Sequence, residues 1–234
     1  MTRILTGTSG FSYKEWIGSF YPEDLKKDQM LTAYAERLGA VEINNTFYGM
    51  PARSVLSRWY EETTEGFTFI IKASRRITHF KRLKGVEEEL EYLLDVTSEL
   101  GEKLGGLLFQ LPPNFKADLD RLGAFLALLP EGCPAAFEFR HDSWKADEVH
   151  ELLRDRGVAL CLADIDDAPS PDLVVTTDWG YVRLRRVEYS EADLEGWAER
   201  IRATGWKRCF TFFKHEDTAS GPEAAGQMAR IVDS

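Results

Sequence analysis

Ala136-Phe137-Glu138-Phe139-Arg140-His141-Asp142-Ser143-Trp144 is the stretch on which the fold turns. From Phe137 to Arg140 apolar and charged side chains alternate, the period of a strand whose two faces meet different surroundings. Just upstream, Leu119, Leu122, Leu126 and Leu129 recur at helical spacing. Before them, Gly106-Leu107-Leu108-Phe109-Gln110 is another strand, closed by Pro112-Pro113. Downstream, Val149, Leu152 and Leu153 form a helical stripe, with Gly157 as its C-terminal stop. Val158 to Ala163 then reads as a strand ending at Asp164. Strand and helix alternating in this way specify parallel pairing, because a return to a parallel neighbour needs a crossover.

The same alternation extends both ways. Toward the N-terminus lie strands at Arg3–Thr8, Val41–Asn44 and Phe67–Lys72. Between and after them are helical stripes at Leu31, Tyr34, Ala35 and Leu38, at Val55, Leu56, Trp59 and Tyr60, and at Leu90, Leu93, Leu94, Thr97 and Leu100. Toward the C-terminus, Leu173–Thr177 and Tyr181–Arg185 both read as strands, and the second is taken as the barrel strand. A helix marked by Leu194, Trp197 and Ile201 follows, then a strand at Arg208–Lys214 and a helix at Ala225, Met228, Ile231 and Val232. About eight strand–helix units predict an α/β fold of one domain over residues 1–234, a closed parallel (β/α)8 barrel of TIM type. The alternative is an open doubly wound sheet, but no Gly-x-Gly-x-x-Gly follows the first strand.

Composition narrows the partners. The 234 residues carry a formal charge of −10, with 44% hydrophobic and 29% charged residues. Polyanions are bound by neutralising phosphates with Lys and Arg, so this balance argues against a nucleic-acid or acidic-lipid surface. Cys133, Cys161 and Cys209 are far apart and odd in number, as expected of free thiols in a cytoplasmic protein. No signal-like run opens the chain, and no window approaches the ~20 apolar residues of a membrane span.

Barrel proteins gather their chemistry at the carboxyl ends of the strands, and so do the polar residues here. Glu42 and Asn44 end the second strand, Lys72 the third, Gln110 the fourth, Glu138 and Arg140 the fifth, and Asp164 the sixth. Arg183 and Arg185 stand on the seventh and Lys214 closes the eighth, followed by His215, Glu216 and Asp217. Val41, Ile43, Phe137, Phe139, Val182 and Leu184 occupy the alternate positions and should face the helices, leaving the charged set facing the axis. Ser9 and Tyr13 sit in a first loop rich in aromatics, with Trp16, Phe20 and Tyr21 as either pocket wall or lid packing. His79 and His141 follow strands three and five, with Trp144 just beyond. His150, inside a helix stripe, reads as a surface residue. No metal motif, nucleophilic triad or phosphate loop is present, so no metal or cofactor is expected.

Several of these segments resemble one family, the domain of unknown function 72 proteins, also called YecE-like. The matching blocks are Gly7–Trp16 with Phe20-Tyr21-Pro22, Val41–Tyr48 with Pro51 and Trp59, and Phe69, Lys72-Ala73 and Ile77-Thr78-His79. They continue with Leu108–Pro113, Phe137–Trp144 and Tyr181-Val182-Arg183, so the likeness runs in order along nearly the whole chain. The resemblance implies a (β/α)8 barrel related in shape to sugar isomerases and endonuclease IV, and it implies no agreed activity. The chain departs from the common family pattern at two places. Arg183-Leu184-Arg185-Arg186 stands where many members read Arg-Leu-His-Gly, and Phe213–Asp217 lacks their paired Asn.

These readings lead to an expected enzyme on a small anionic or polyhydroxylated substrate. Glu42, Glu138 or Asp164 would be the acid or base. Ser9, Tyr13, Asn44, Lys72, His79, Gln110, Arg140, His141, Trp144, Arg183, Arg185 and Lys214 would bind the ligand. The competing classes are a non-catalytic sensor using the same pocket and, by analogy of shape alone, a nucleic-acid-processing protein.

Overall fold

The computed structural model describes residues 2–214 and 219–233; His215, Glu216 and Asp217 lie outside the described residues. Eight parallel strands close into a barrel in sequence order, the last pairing with the first. They are β1 (Arg3–Ser9), β2 (Ala40–Ile43), β3 (Thr68–Lys72), β4 (Leu104–Gln110), β5 (Ala135–Glu138), β6 (Ala159–Asp164), β7 (Trp179–Leu184) and β8 (Arg208–Phe213). Around them lie α1 (Met30–Ala35), α2 (Arg53–Glu62), α3 (Glu87–Thr97), α4 (Leu119–Leu128), α5 (Asp147–Asp155), α6 (Glu191–Ala203) and α7 (Ser220–Asp233).

Strand alternation sorts the buried residues into two cores. Inside the barrel, Leu5, Ala40, Ile70, Leu108, Ala136, Ala159, Cys161, Trp179, Tyr181, Phe210 and Phe212 pack together. Outside, Val41, Ile43, Phe69, Phe109, Phe137, Val182 and Leu184 join the inner stripes of the helices, among them Leu56, Leu122, Val149, Leu194 and Ile201. Close approach shapes both layers. On β7, a Cβ on Gly180 would stand 2.2 Å from Trp206, so only glycine lets that indole lie flat on the strand.

The β6–β7 crossover breaks the expected alternation: residues 165–178 carry no helix and Leu173–Thr177 form no strand. Asp166-Asp167-Ala168-Pro169-Ser170-Pro171-Asp172 explains it, since two prolines and three aspartates favour turns over helix. The segment still covers the barrel. Leu173 and Val174 pack on the outer core. The Thr176 hydroxyl accepts from Leu160 N at 3.0 Å and donates to Val158 O at 2.8 Å, satisfying backbone groups beside β6.

Candidate functional site

At the carboxyl end of the barrel, the inner core gives way to one connected polar layer. Glu42 is fully buried, and Ser9 Oγ donates to its Oε1 at 2.9 Å, Asn44 Nδ2 at 2.7 Å and Arg183 Nη2 at 2.8 Å. The Tyr181 hydroxyl donates to the other oxygen. Glu138 Oε2 accepts from Arg183 Nη1 at 2.6 Å and from Gln110 Nε2 at 2.8 Å, while Arg140 Nε approaches Oε1 at 3.3 Å. Arg183 thus bridges two buried carboxylates, the compensation that buried charge requires. Register explains why these side chains meet. Ser9 pairs with Glu42 and Gln110 with Glu138, so each pair shares the inward face.

Over this buried layer stands a partly exposed one. Lys72 Nζ donates to Gln110 Oε1 at 2.9 Å and lies 4.4 Å from the centre of the Phe47 ring. His79 meets the same ring edge-on at 4.8 Å. Tyr13 arches over β1, its hydroxyl donating to Ser9 O at 2.7 Å. Arg140 is exposed; Asn44 and Arg185 are partly buried. The connection after Lys72 winds into a single π turn at Arg76–Phe80, and Arg82 and Leu83 both take left-handed backbone angles. Such unusual backbone is found disproportionately at functional sites.

The layer is strongly polarised. Burial pushes the Glu138 carboxyl up, but Arg183 and Arg140 outweigh it and hold the group at about 2. Glu42 is likewise lowered, burial being outweighed by Arg183 and by hydrogen bonds from Tyr181, Asn44 and Ser9. Lys72 is driven down to about 8 by burial and by the neighbouring Arg183. His79 falls through burial and the nearby Lys72 and Arg140. Burial and then Glu42 raise Tyr13 to about 12. Burial followed by Arg183 lowers Arg185. Both carboxylates are therefore ionised acceptors with their oxygens occupied, which does not suit them to donate a proton.

Two of the expected site residues, Asp164 and Trp144, lie apart from this layer. Asp164 faces outward: Ala163 pairs with Arg183, so Asp164 takes the helix-facing parity of Leu184. There Arg186 Nη2 donates to Oδ1 at 2.9 Å, Ser170 Oγ at 3.0 Å, and the Tyr189 hydroxyl to Oδ2 at 2.9 Å. Trp144 is buried, stacked 4.6 Å from Phe139, with its indole N–H donating to Phe115 O. His141 caps a turn, its Nδ1 accepting from Ser143 N at 3.1 Å. Lys214 lines a cleft of about 340 Å³ with Arg186, Tyr189 and α7, beside the barrel mouth. Trp16, Phe20 and Tyr21 pack in the outer core. Among the described residues, no three His, Cys, Asp or Glu side chains converge as metal ligands. No helix of the described residues is long and apolar enough to cross a membrane.

The structure also adds residues that the sequence reading did not single out. Tyr181 belongs to the buried layer, and its position two before Arg183 was the available sign. Arg75 lies between two exposed rings, 5.3 Å from Tyr48 and 5.2 Å from Phe80. A run of six Lys or Arg and no acid from Lys72 to Gly85 was its signal.

Eight parallel strands closed into a ring, with a polar layer confined to their carboxyl ends, define a TIM-type barrel protein. The chain belongs to the family described as protein of unknown function DUF72, whose model matches residues 5–234. It is 33% identical to the UPF0759 protein YecE of Escherichia coli over 129 residues, which cover 55% of this chain and 47% of that protein. The chain thus spans about half the length of that curated relative. It is 26% identical to the UPF0759 protein YunF of Bacillus subtilis, over 92% of this chain and 90% of that one. A crystal structure of a DUF72 family protein from Thermotoga maritima superposes with a TM-score of 0.84 at 29% identity, covering 99% of this chain and all of its own.

Proposed function

We propose that this barrel is an enzyme acting on a small anionic or polyhydroxylated substrate bound over the polar layer. One observation carries the reading. Lys72, Arg140, Arg183 and Arg185 stand against only Glu42 and Glu138, an excess of two positive charges in a chain whose net charge is −10. Both Nη groups of the buried Arg183 are taken by the two carboxylates, which leaves Lys72, Arg140 and Arg185 as cations that a ligand can reach. The local field would draw a small anion in against the overall charge, and Asn44 and Gln110 would orient its hydroxyls. The saturated carboxylates favour one second reading, a binding protein with no carboxylate chemistry.

Thermal shift and calorimetric titration with inorganic phosphate and a phosphosugar test the pocket. Both should stabilise the protein. Arg140→Ser and Arg185→Ser should each weaken phosphate binding by about tenfold, the scale of one charge-assisted hydrogen bond. Equal affinity in parent and both variants would sink the proposal.

A further inference from the structure

We propose that Lys72 is the reactive amine of this site, adding to the carbonyl carbon of a small anionic aldehyde or ketone whose charge is held by Arg140 and Arg185. This rests on the anion-binding reading above and adds the chemistry to it.

The buried Lys103, at the other end of the barrel, shows what a structural lysine looks like here: its Nζ donates to Tyr60 O, Thr63 O and the Thr63 hydroxyl, at 2.6, 2.8 and 3.1 Å. Lys72 forms no ion pair among the described residues, although two carboxylates lie in the buried layer beneath it. Arg183 takes an oxygen from each of them. Lys72 is left with a neutral amide acceptor, Gln110 Oε1 at 2.9 Å, and the Phe47 ring at 4.4 Å. Gln110 is fixed in turn by donating to Glu138 at 2.8 Å, so Nζ is held in place without its charge being neutralised. The groups facing it are Glu42 from β2, Glu138 and Arg140 from β5, Arg183 from β7 and, on its own loop, His79. A lysine desolvated beside other cations is the environment that activates amine nucleophiles. Its value of about 8 leaves roughly a tenth of the amine unprotonated at neutral pH, hundreds of times more than an ordinary lysine. The bond changes balance without another reactant. The Nζ lone pair forms the bond to carbon, the carbonyl oxygen leaves as water carrying both amine protons, and a C=N bond joins Lys72 to the substrate. Once protonated, that imine withdraws electrons from the adjacent carbon, the step on which carbon–carbon cleavage and isomerisation of such compounds depend.

The probe is pyridoxal 5′-phosphate, an aldehyde bearing a phosphate, fixed by borohydride and located by peptide mass spectrometry. Lys72 should be labelled ahead of exposed lysines such as Lys145 and Lys207. The rate should rise with a midpoint near pH 8, and inorganic phosphate should compete. Lys72→Arg should remove the fast-labelling fraction. Labelling spread over surface lysines, a midpoint at the ordinary 10.5, or unchanged fast labelling in Lys72→Arg would each overturn the assignment. If phosphate still stabilises the protein in that case, the anion pocket stands and only the amine chemistry falls.

Discussion

At the scale of single residues, the site turns on Arg183. Its two Nη groups separate Glu42 from Glu138, which together would place two unpaired negative charges in the buried interior. Arg183→Met keeps the stem and removes the charge. Breaking a buried ion network in this way costs ~3–5 kcal/mol, and the pH dependence identifies the cause. In the parent, Glu138 sits at about 2 against an ordinary 4.5. A depressed carboxyl contributes stability above its ordinary value and loses it as pH falls through the folded one. Parent stability should therefore decline between pH 4.5 and about 2. In the variant, burial is no longer offset by Arg183 and both carboxyls titrate higher, so stability is lost as pH rises through the raised values. Melting curves should show Arg183→Met losing stability between about pH 5 and about pH 8, a range over which these carboxyls leave the parent level. A variant that tracks the parent's profile would mean that Arg183 does not neutralise this layer. Arg140 should behave differently. It is exposed and reaches Glu138 only at 3.3 Å, so its loss should cost little stability while weakening ligand binding.

At the scale of elements, what could be read in the chain depended on whether a strand announces its two faces. In β2, β5 and β7 charged residues alternate with apolar ones, so Glu42, Glu138 and Arg183 could be assigned to the axis from spacing alone. Val158 to Ala163 is apolar throughout, which leaves its parity unmarked, so position at a strand end alone suggests an inward Asp164 whereas the register turns it outward. His141 and Trp144 follow β5 closely in sequence, but a short turn and stacking on Phe139 bind them to local packing. The β6–β7 crossover misled for another reason. Its cover is built by the Thr176 and Ser170 hydroxyls and by Leu173 and Val174 rather than by a helix, and no periodicity records that. Thr176→Val tests the arrangement. It keeps the shape but leaves Leu160 N and Val158 O without their side-chain partner, at a cost of ~1–3 kcal/mol for buried groups. Hydrogen exchange should show the Leu160 amide losing protection while β1 amides on the far side keep theirs. Unchanged exchange at Leu160 would show that the threonine is dispensable to this edge of β6.

At the scale of the whole molecule, the barrel itself was legible because eight strands and their helices fill the chain with little to spare, and a closed parallel sheet accommodates that count. The charge distribution was only half legible: composition gave the sum and hid the separation of a cationic mouth from an acidic exterior. That separation decides what kind of anion the protein can take. A nucleic-acid surface needs a continuous basic track along which many phosphates are neutralised. The basic run from Lys72 to Gly85 lies beside the barrel mouth, yet it abuts the acidic start of α3, where Glu87, Glu88 and Glu89 stand in the first turn. Glu89 alone engages both Arg76 and Lys81, at 3.2 and 2.8 Å. A long polyanion laid across this rim would meet those carboxylates and the net −10 beyond them, whereas a single phosphate over Arg140 and Arg185 would not. Binding should therefore depend on ligand size. A single-stranded oligonucleotide followed by fluorescence anisotropy at physiological salt should show no saturable binding under conditions where a phosphosugar raises the melting temperature. Both signals should weaken as salt is added, since screening acts on any exposed charge. Tight oligonucleotide binding with a steep salt dependence would mean that several phosphates are neutralised at once, and the small-ligand reading of the barrel mouth would have to be abandoned for a polymer-binding one.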